Sequence, residues 1–193
     1  IFARGHNISV DWSPDCKEIS TSWIPSFEVR RSEENSELKK YIPHMSNLYT
    51  TSNFSDSLNQ FSKLTEYFQS WSNDLEKLRL AEGSNLNARL SDRLRSHIDN
   101  INQNILRMNK GINILKNNKD ASRAFRYANE AIFESQKCPA VKRDNFSWKP
   151  FQISFILLNL SGLLWETEEY DEADRQTIDL AWFPTGGGKT EAY

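Results

Sequence analysis

Seven residues near the end of the sequence, Pro184-Thr185-Gly186-Gly187-Gly188-Lys189-Thr190, combine the side chains and gaps that bind phosphate. Successive glycines let backbone N–H groups turn toward an anion, because no Cβ blocks the approach. Lys189 then supplies a charge on a flexible stem that reaches the β and γ phosphates of a nucleotide, and the Thr190 hydroxyl is a ligand for Mg2+. Such a loop needs a strand that delivers the chain into the turn and a helix whose positive dipole end faces the anion. TIDLAWF, residues 177–183, has the brevity and composition of a buried strand, and Thr190-Glu191-Ala192-Tyr193 reads as a helix start. The alternative is a flexible glycine-rich tail, for which the preceding apolar run would have no use.

The rest of the sequence must position that loop, and most of it reads as helix. Phe54, Leu58, Phe61, Leu64, Phe68, Trp71, Leu75 and Leu78 recur at steps of three and four, one apolar stripe on an amphipathic helix. Ser55 or Ser57 would cap its start and the Glu82-Gly83-Ser84 turn would end it. A second stripe runs from Leu86 through Leu90, Leu94, Ile98, Ile101, Ile105, Met108 and Ile112 to Leu115, interrupted in propensity but not in period by Gly111. A third helix, residues 121–136, carries small residues beside Phe125, Ile132 and Phe133, with Cys138-Pro139 closing it. Three helices with short joins predict an antiparallel bundle or hairpin, whose stripes are core. After a polar linker, Pro150 opens a nearly continuous apolar run over residues 151–164, the pattern of a helix buried on most sides. The first fifty residues mix β-branched and aromatic residues with Pro14, Pro25 and Pro43, which predicts short strands and turns.

Charge is divided unevenly along a chain whose formal net charge is only −2. Residues 1–78 carry 8 Lys+Arg against 11 Asp+Glu, residues 79–150 carry 14 against 7, and residues 151–193 carry 2 against 8. The basic middle is either a nucleic-acid footprint, through phosphate neutralisation, or a solvated helix face. The acidic stretch at 166–174 reads as a solvated face and not as a metal site. No stretch has the roughly 18 to 20 apolar residues of a membrane span, and no signal-peptide pattern opens the sequence, so a cytoplasmic location without membrane contact is expected. Cys16 and Cys138 lie far apart without Cys or His neighbours at ligand spacing, which argues against a disulfide framework or a zinc site. His6, His44 and His97 are isolated from partners and read as surface or satisfied histidines. A start on Ile1 reads as an excerpt of a longer chain.

The loop departs from the general pattern GxxxxGK[ST] at its first position, which is Phe183. From Pro184 onward, FPTGGGKTE resembles motif I of the superfamily 2 helicases. In those proteins a glutamine upstream of motif I reads adenine with its amide, and Gln152 in WKPFQISFILL stands in the corresponding place, 37 residues before Lys189. The acidic loop accounts for the length of that interval. Taken together, WKPFQISFILLNLSGL, DLAWFPTGGGKTEAY and RMNKGINILKNNKDASRAFRYANEAI resemble the helicase subunit of the DISARM anti-phage defence systems of bacteria, in which an aromatic residue also precedes the proline.

That resemblance implies an ATP-driven DNA translocase working in a defence complex. It implies a mixed segment at residues 1–53, a helical domain at 54–140 and, from 141, the opening of a RecA-like α/β domain. ATP and Mg2+ are the implied cofactors; DNA and other subunits of the defence complex are the implied partners. The implied site is Gln152, Pro184, Thr185, Gly186, Gly187, Gly188, Lys189, Thr190 and Glu191, with Lys189 and Thr190 in the catalytic role. The acid pair that orients water for hydrolysis would lie beyond Tyr193, so these 193 residues alone are expected to lack ATPase activity. Two rival readings are a helical protein-interaction module and a P-loop ATPase of another kind.

Overall fold

A computed structural model describes residues 8–23, 35–82, 87–136, 146–164, 167–180 and 188–192. Two compact units divide the chain, residues 1–33 and residues 34–193.

In the first unit, β1 (Ser9–Trp12) and β2 (Ile19–Trp23) form an antiparallel hairpin with Val10 opposite Thr21 and Trp12 opposite Ile19. The short strands expected at this end are therefore present. Their loop is closed by the Ser13 N–H donating to the Glu18 carbonyl at 3.0 Å.

The second unit is helical. A 3-10 turn at Ser36–Tyr41 leads into α1 (Met45–Tyr49), α2 (Thr51–Ala81), α3 (Ala88–Asn117), α4 (Lys119–Gln136), α5 (Pro150–Leu163) and α6 (Glu172–Gln176), and a second 3-10 turn covers Thr190–Ala192. Helix therefore begins inside the segment read as strands and turns, because His44 accepts from the Ser46 N–H and caps α1. The start of α2 also differs from expectation. Thr50 is its N-cap, while Ser57 lies within the helix with its hydroxyl against the Asn53 carbonyl at 3.1 Å.

Helix α3 is the centre of the unit, packed between α2 and α5, with α4 against α1 and α3. Phe61 and Leu64 of α2, Ile112 and Leu115 of α3, Ile153 and Leu157 of α5, and Met45 and Leu48 of α1 are almost wholly removed from water. Phe61, Leu64, Ile112 and Leu115 are stripe residues read from the sequence, Ile153 and Leu157 belong to the apolar run after Pro150, and Met45 and Leu48 come from the segment read as strands and turns. Gly111 has a more specific role than a weak point in α3. A Cβ there would fall 2.2 Å from the Leu157 carbonyl oxygen, so glycine is what lets α3 and α5 cross with their backbones in contact. Gly162 does the same for α6, whose Arg175 Cα would lie 3.1 Å from an added Cβ. No described helix is long and apolar enough to cross a membrane.

Two expectations about the last fifty residues are corrected. Residues 177–180 form no strand; the described residues hold one sheet, the hairpin. A buried strand must pair its N–H and C=O groups with neighbours, and no strand lies beside this segment among the described residues. Ile178 and Leu180 are instead 95% and 80% exposed. The acidic stretch, in turn, is not simply solvated: its end enters α6, and two of its carboxylates, Asp171 and Asp174, face Lys110 and Arg107 of α3.

Candidate functional site

The start of α5 is fixed before its first turn. Trp148, 3% exposed, donates its indole N–H to Asn129 Oδ1 of α4 at 2.7 Å, and Asn129 donates in turn to the Phe125 carbonyl at 2.7 Å. The Met45 N–H reaches the Phe146 carbonyl at 3.2 Å. Pro150 then takes the first helical position, where its missing N–H has no intrahelical partner to lose. Three residues after the N-cap Lys149, Gln152 turns its side chain back and accepts the Lys149 N–H on Oε1 at 2.7 Å.

The other end of the same amide meets the candidate phosphate-loop residues. Gln152 Nε2 donates to the Gly188 carbonyl, and Gln152 is 3% exposed. Two residues 36 apart in sequence are therefore in direct contact. Among the described residues each end of the amide makes one hydrogen bond. An amide oxygen accepts two and its NH2 donates two, which leaves one acceptor and one donor position without a partner among the described residues.

Gly188 has φ of 81°, in the left-handed region that side chains avoid, so glycine is demanded at this position by the turn itself. Lys189 is half-buried and Thr190 exposed. The 3-10 turn closes with the Ala192 N–H on the Lys189 carbonyl at 3.1 Å, and Ala192 packs against the core. The backbone of Glu191 belongs to that turn. Pro184, Thr185, Gly186 and Gly187, together with the end of the anticipated strand at residues 181–183, lie outside the described residues.

A second cluster holds the chain upstream of Lys189. Arg107 of α3 donates from Nε to Asp174 at 2.9 Å, from both terminal nitrogens to the two oxygens of Asp179 at 2.8 and 2.7 Å, and to the Leu158 carbonyl at 3.2 Å. Lys110, one turn along, pairs with Asp171 and lies 3.7 Å from Asp174, whose other partner is the Ser161 hydroxyl. Its hydrogen bonds to Asp179, reinforced by the charge of both carboxylates, raise the Arg107 guanidinium above its ordinary value. The Lys110 ammonium beside Asp171 holds that carboxyl below the usual carboxylate range. From the sequence, Arg107 and Lys110 belong to the basic middle, a nucleic-acid footprint or solvated face, and Asp171 and Asp174 to an acidic face; their pairing is not expected. Their signal was the opposite charge of the basic middle and the acidic end, and the lone aspartate set in the apolar run TIDLAWF.

Among the described residues no cluster of His, Cys, Asp and Glu could hold a metal ion. At the loop, Thr190 offers one hydroxyl oxygen, which fits the single protein ligand a nucleotide-bound Mg2+ takes at such a position. An apolar cleft of about 460 Å³ lined by Phe68, Trp71, Met108, Phe155 and Leu158 holds none of residues 188–192 in its walls. Its walls also include Phe151, Ile178, Asp179 and Leu180, so it adjoins the Arg107 cluster.

No protein-family model matches the sequence. The chain is similar to the DISARM protein DrmA of Bacillus paralicheniformis, with 28% identity over 219 aligned residues. The alignment takes in the whole of this chain and 18% of that protein, so the chain spans less than a fifth of the curated relative it matches.

Proposed function

We propose that this chain is a nucleotide-binding part of an ATP-dependent DNA translocase of the superfamily 2 helicase type, acting in DISARM-type anti-phage defence. The observation that carries this reading is the contact between Gln152 and Gly188, which joins the candidate adenine reader to the candidate phosphate loop. The similarity to DrmA supports the defence role.

In this reading Gln152 selects adenine through its two remaining amide positions. Gly186, Gly187 and Gly188 present backbone N–H groups to the phosphates, the Lys189 ammonium neutralises their outer oxygens, and Thr190 holds Mg2+. Bound Mg2+ supplies charge neutralisation of the phosphates. Arg89 and Arg93, exposed and one turn apart on α3, are among the exposed cations that could meet a DNA backbone. Arg107 and Lys110 are already matched by carboxylates, so the basic middle offers DNA fewer charges than its composition suggests.

Calorimetric titration of the 193-residue chain with Mg·ATP tests the reading. Saturable binding that Lys189→Ala weakens by at least about tenfold is the expected result, in line with loss of a charge-assisted phosphate contact. Equal affinity in wild type and Lys189→Ala would remove the phosphate-loop assignment. Turnover of ATP by this chain, abolished in Lys189→Ala, would overturn the expectation that it binds without hydrolysing.

A further inference from the structure

The apolar stripes of α2 and α3 outrun the core they build. The last buried residue of α2 is Ser72 and the first of α3 is Ile98, so residues 73–81 and 88–97 extend past the core as a pair of helix ends. Residues 73–81 alone rise about 14 Å. Ser72 with Asn102 and Thr65 with Asn109 set the antiparallel register, which brings Leu75 near the level of Ile98 and Leu78 near that of Leu94. Trp71, Leu75 and Leu78 follow at i, i+4 and i+7 on α2, while Ile101, Leu94 and Leu90 step back by seven and four residues on α3, so each set shares one helix face.

Trp71 and Ile101 line the apolar cleft, whose opposite wall is Phe151, Phe155 and Leu158 of α5. Beyond the cleft the face is open: Trp71 is 47%, Leu78 55% and Leu90 51% exposed, with Leu75 and Leu94 partly buried. Apolar side chains continuous with a cleft, unlike single exposed leucines, mark a surface that a further element covers. The rim differs in charge between the two helices. On α2, Asp74 pairs with Lys77 at 2.9 Å and Glu76 with Arg79 at 2.6 Å, so these charges are matched within the helix. On α3, residues 88–97 hold Arg89, Arg93 and Arg95 against the single carboxylate of Asp92. Arg89 and Arg93 are exposed without a partner among the described residues, and Arg93 lies three turns before Asn104 of the cleft wall, on the same side of the helix. A second copy of this chain would bring an equally cationic α3 and an α2 whose acids are already paired. A phosphate backbone would satisfy the arginines and leave Trp71, Leu78 and Leu90 in water.

We propose that the face running from Trp71 and Ile101 to Leu78 and Leu90 is a docking groove for an acidic amphipathic helix of a partner protein. The partner's apolar side chains, recurring every three to four residues, pack on Trp71, Leu75, Leu78, Leu90 and Leu94 as a further helix of the bundle, and its carboxylates meet Arg89 and Arg93. The groove is independent of the nucleotide reading.

The test uses two dye-labelled synthetic helices of about five turns, each with leucines at i, i+4, i+7 and i+11, one flanked by glutamates and the other by lysines. Fluorescence anisotropy with the 193-residue chain should show the glutamate peptide binding at least about tenfold more tightly than the lysine peptide. Leu78→Ser combined with Leu90→Ser should weaken the glutamate peptide about tenfold. Arg89→Ala combined with Arg93→Ala should weaken it by a similar factor and flatten its dependence on salt. All four side chains are exposed, so the variants should keep the wild-type circular dichroism. Equal affinity for the two peptides, no binding of the glutamate peptide, or undiminished binding in the leucine double variant would overturn the groove. Dimerisation in sedimentation that the leucine double variant abolishes would seat a second copy there and overturn the acidic partner. A DNA duplex that binds through Arg89 and Arg93 while the glutamate peptide does not bind would assign the arginines to phosphates and overturn it equally.

Discussion

Helix α3 is held differently on its two sides. Toward α2 the part-buried polar contacts are neutral, Ser72 donating to Asn102 at 2.7 Å and Thr65 to Asn109 at 2.8 Å, with one exposed charged donor, Lys116, on the Ser62 hydroxyl at 3.3 Å. On each helix the two positions are seven residues apart, so the pairs recur every two turns beside the apolar seam, as antiparallel helices packed at heptad spacing require. Toward α6 and the residues flanking it the polar contacts are charged, with Arg107 and Lys110 facing Asp171, Asp174 and Asp179. The neutral seam joins neighbouring helices that already bury Phe61, Leu64, Ile105 and Ile112. By contrast, α6 has no buried residue, and the segment after it exposes its apolar side chains. Where apolar burial is ample, hydroxyls and amides adjust register; where it is scarce, ion pairs hold the chain. The second arrangement lies directly upstream of the candidate phosphate loop.

The largest effect should come from breaking the charged side. Arg107→Ala leaves Asp174 and Asp179 poorly matched in a site mostly shielded from water, and a loss of about 3 kcal/mol in urea denaturation is expected. Next is Gly111→Ala. Alanine favours the helix by roughly 1 kcal/mol, but its Cβ would meet a backbone oxygen at 2.2 Å that cannot swing aside, so a net destabilisation of about 2 kcal/mol should appear in the same measurement. On the neutral side, Asn102→Ala strips the Ser72 hydroxyl of its acceptor and should cost about 1 kcal/mol. A stability change for Asn102→Ala equal to that for Arg107→Ala would erase the contrast between the two sides.

Acid should produce the smallest change, and on one side only. The folded Asp171 carboxyl lies below its ordinary value because of Lys110, so its stabilisation is full above about pH 4, the ordinary carboxylate range, and is lost as pH falls through the depressed value. Amide resonances of α6 should shift in that window while those around Ser72 and Asn102 stay put. Parallel movement of both sets would show that the charged side has no special part in holding α6.

How much of this was legible in the sequence depended on the range of the interaction. The stripes of α2, α3 and α4 are local periodicities, and Phe61, Leu64, Ile112, Leu115 and Phe125 are buried as their spacing implies. Pro150 marked the start of α5 for an equally local reason. The Gln152 and Gly188 contact was approached through resemblance, since nothing in the 36 residues between them encodes their meeting. The lock around Arg107 joins residues 67 and 72 apart, and one-dimensional charge counting showed the imbalance without showing who pairs with whom. Residues 177–180 misled because TIDL has strand composition, whereas a strand is made by its neighbours.

The central claim is that Gln152 and the residues from Gly188 form one adenine-nucleotide site, and competition between Mg·ATP and Mg·GTP for the 193-residue chain tests it most directly. Wild type should prefer ATP by at least about tenfold, because a wrong base leaves the buried amide without its partners, and Gln152→Ala should bind both nucleotides alike. Equal binding of ATP and GTP by the wild type, or an undiminished preference for ATP in Gln152→Ala, would contradict the account.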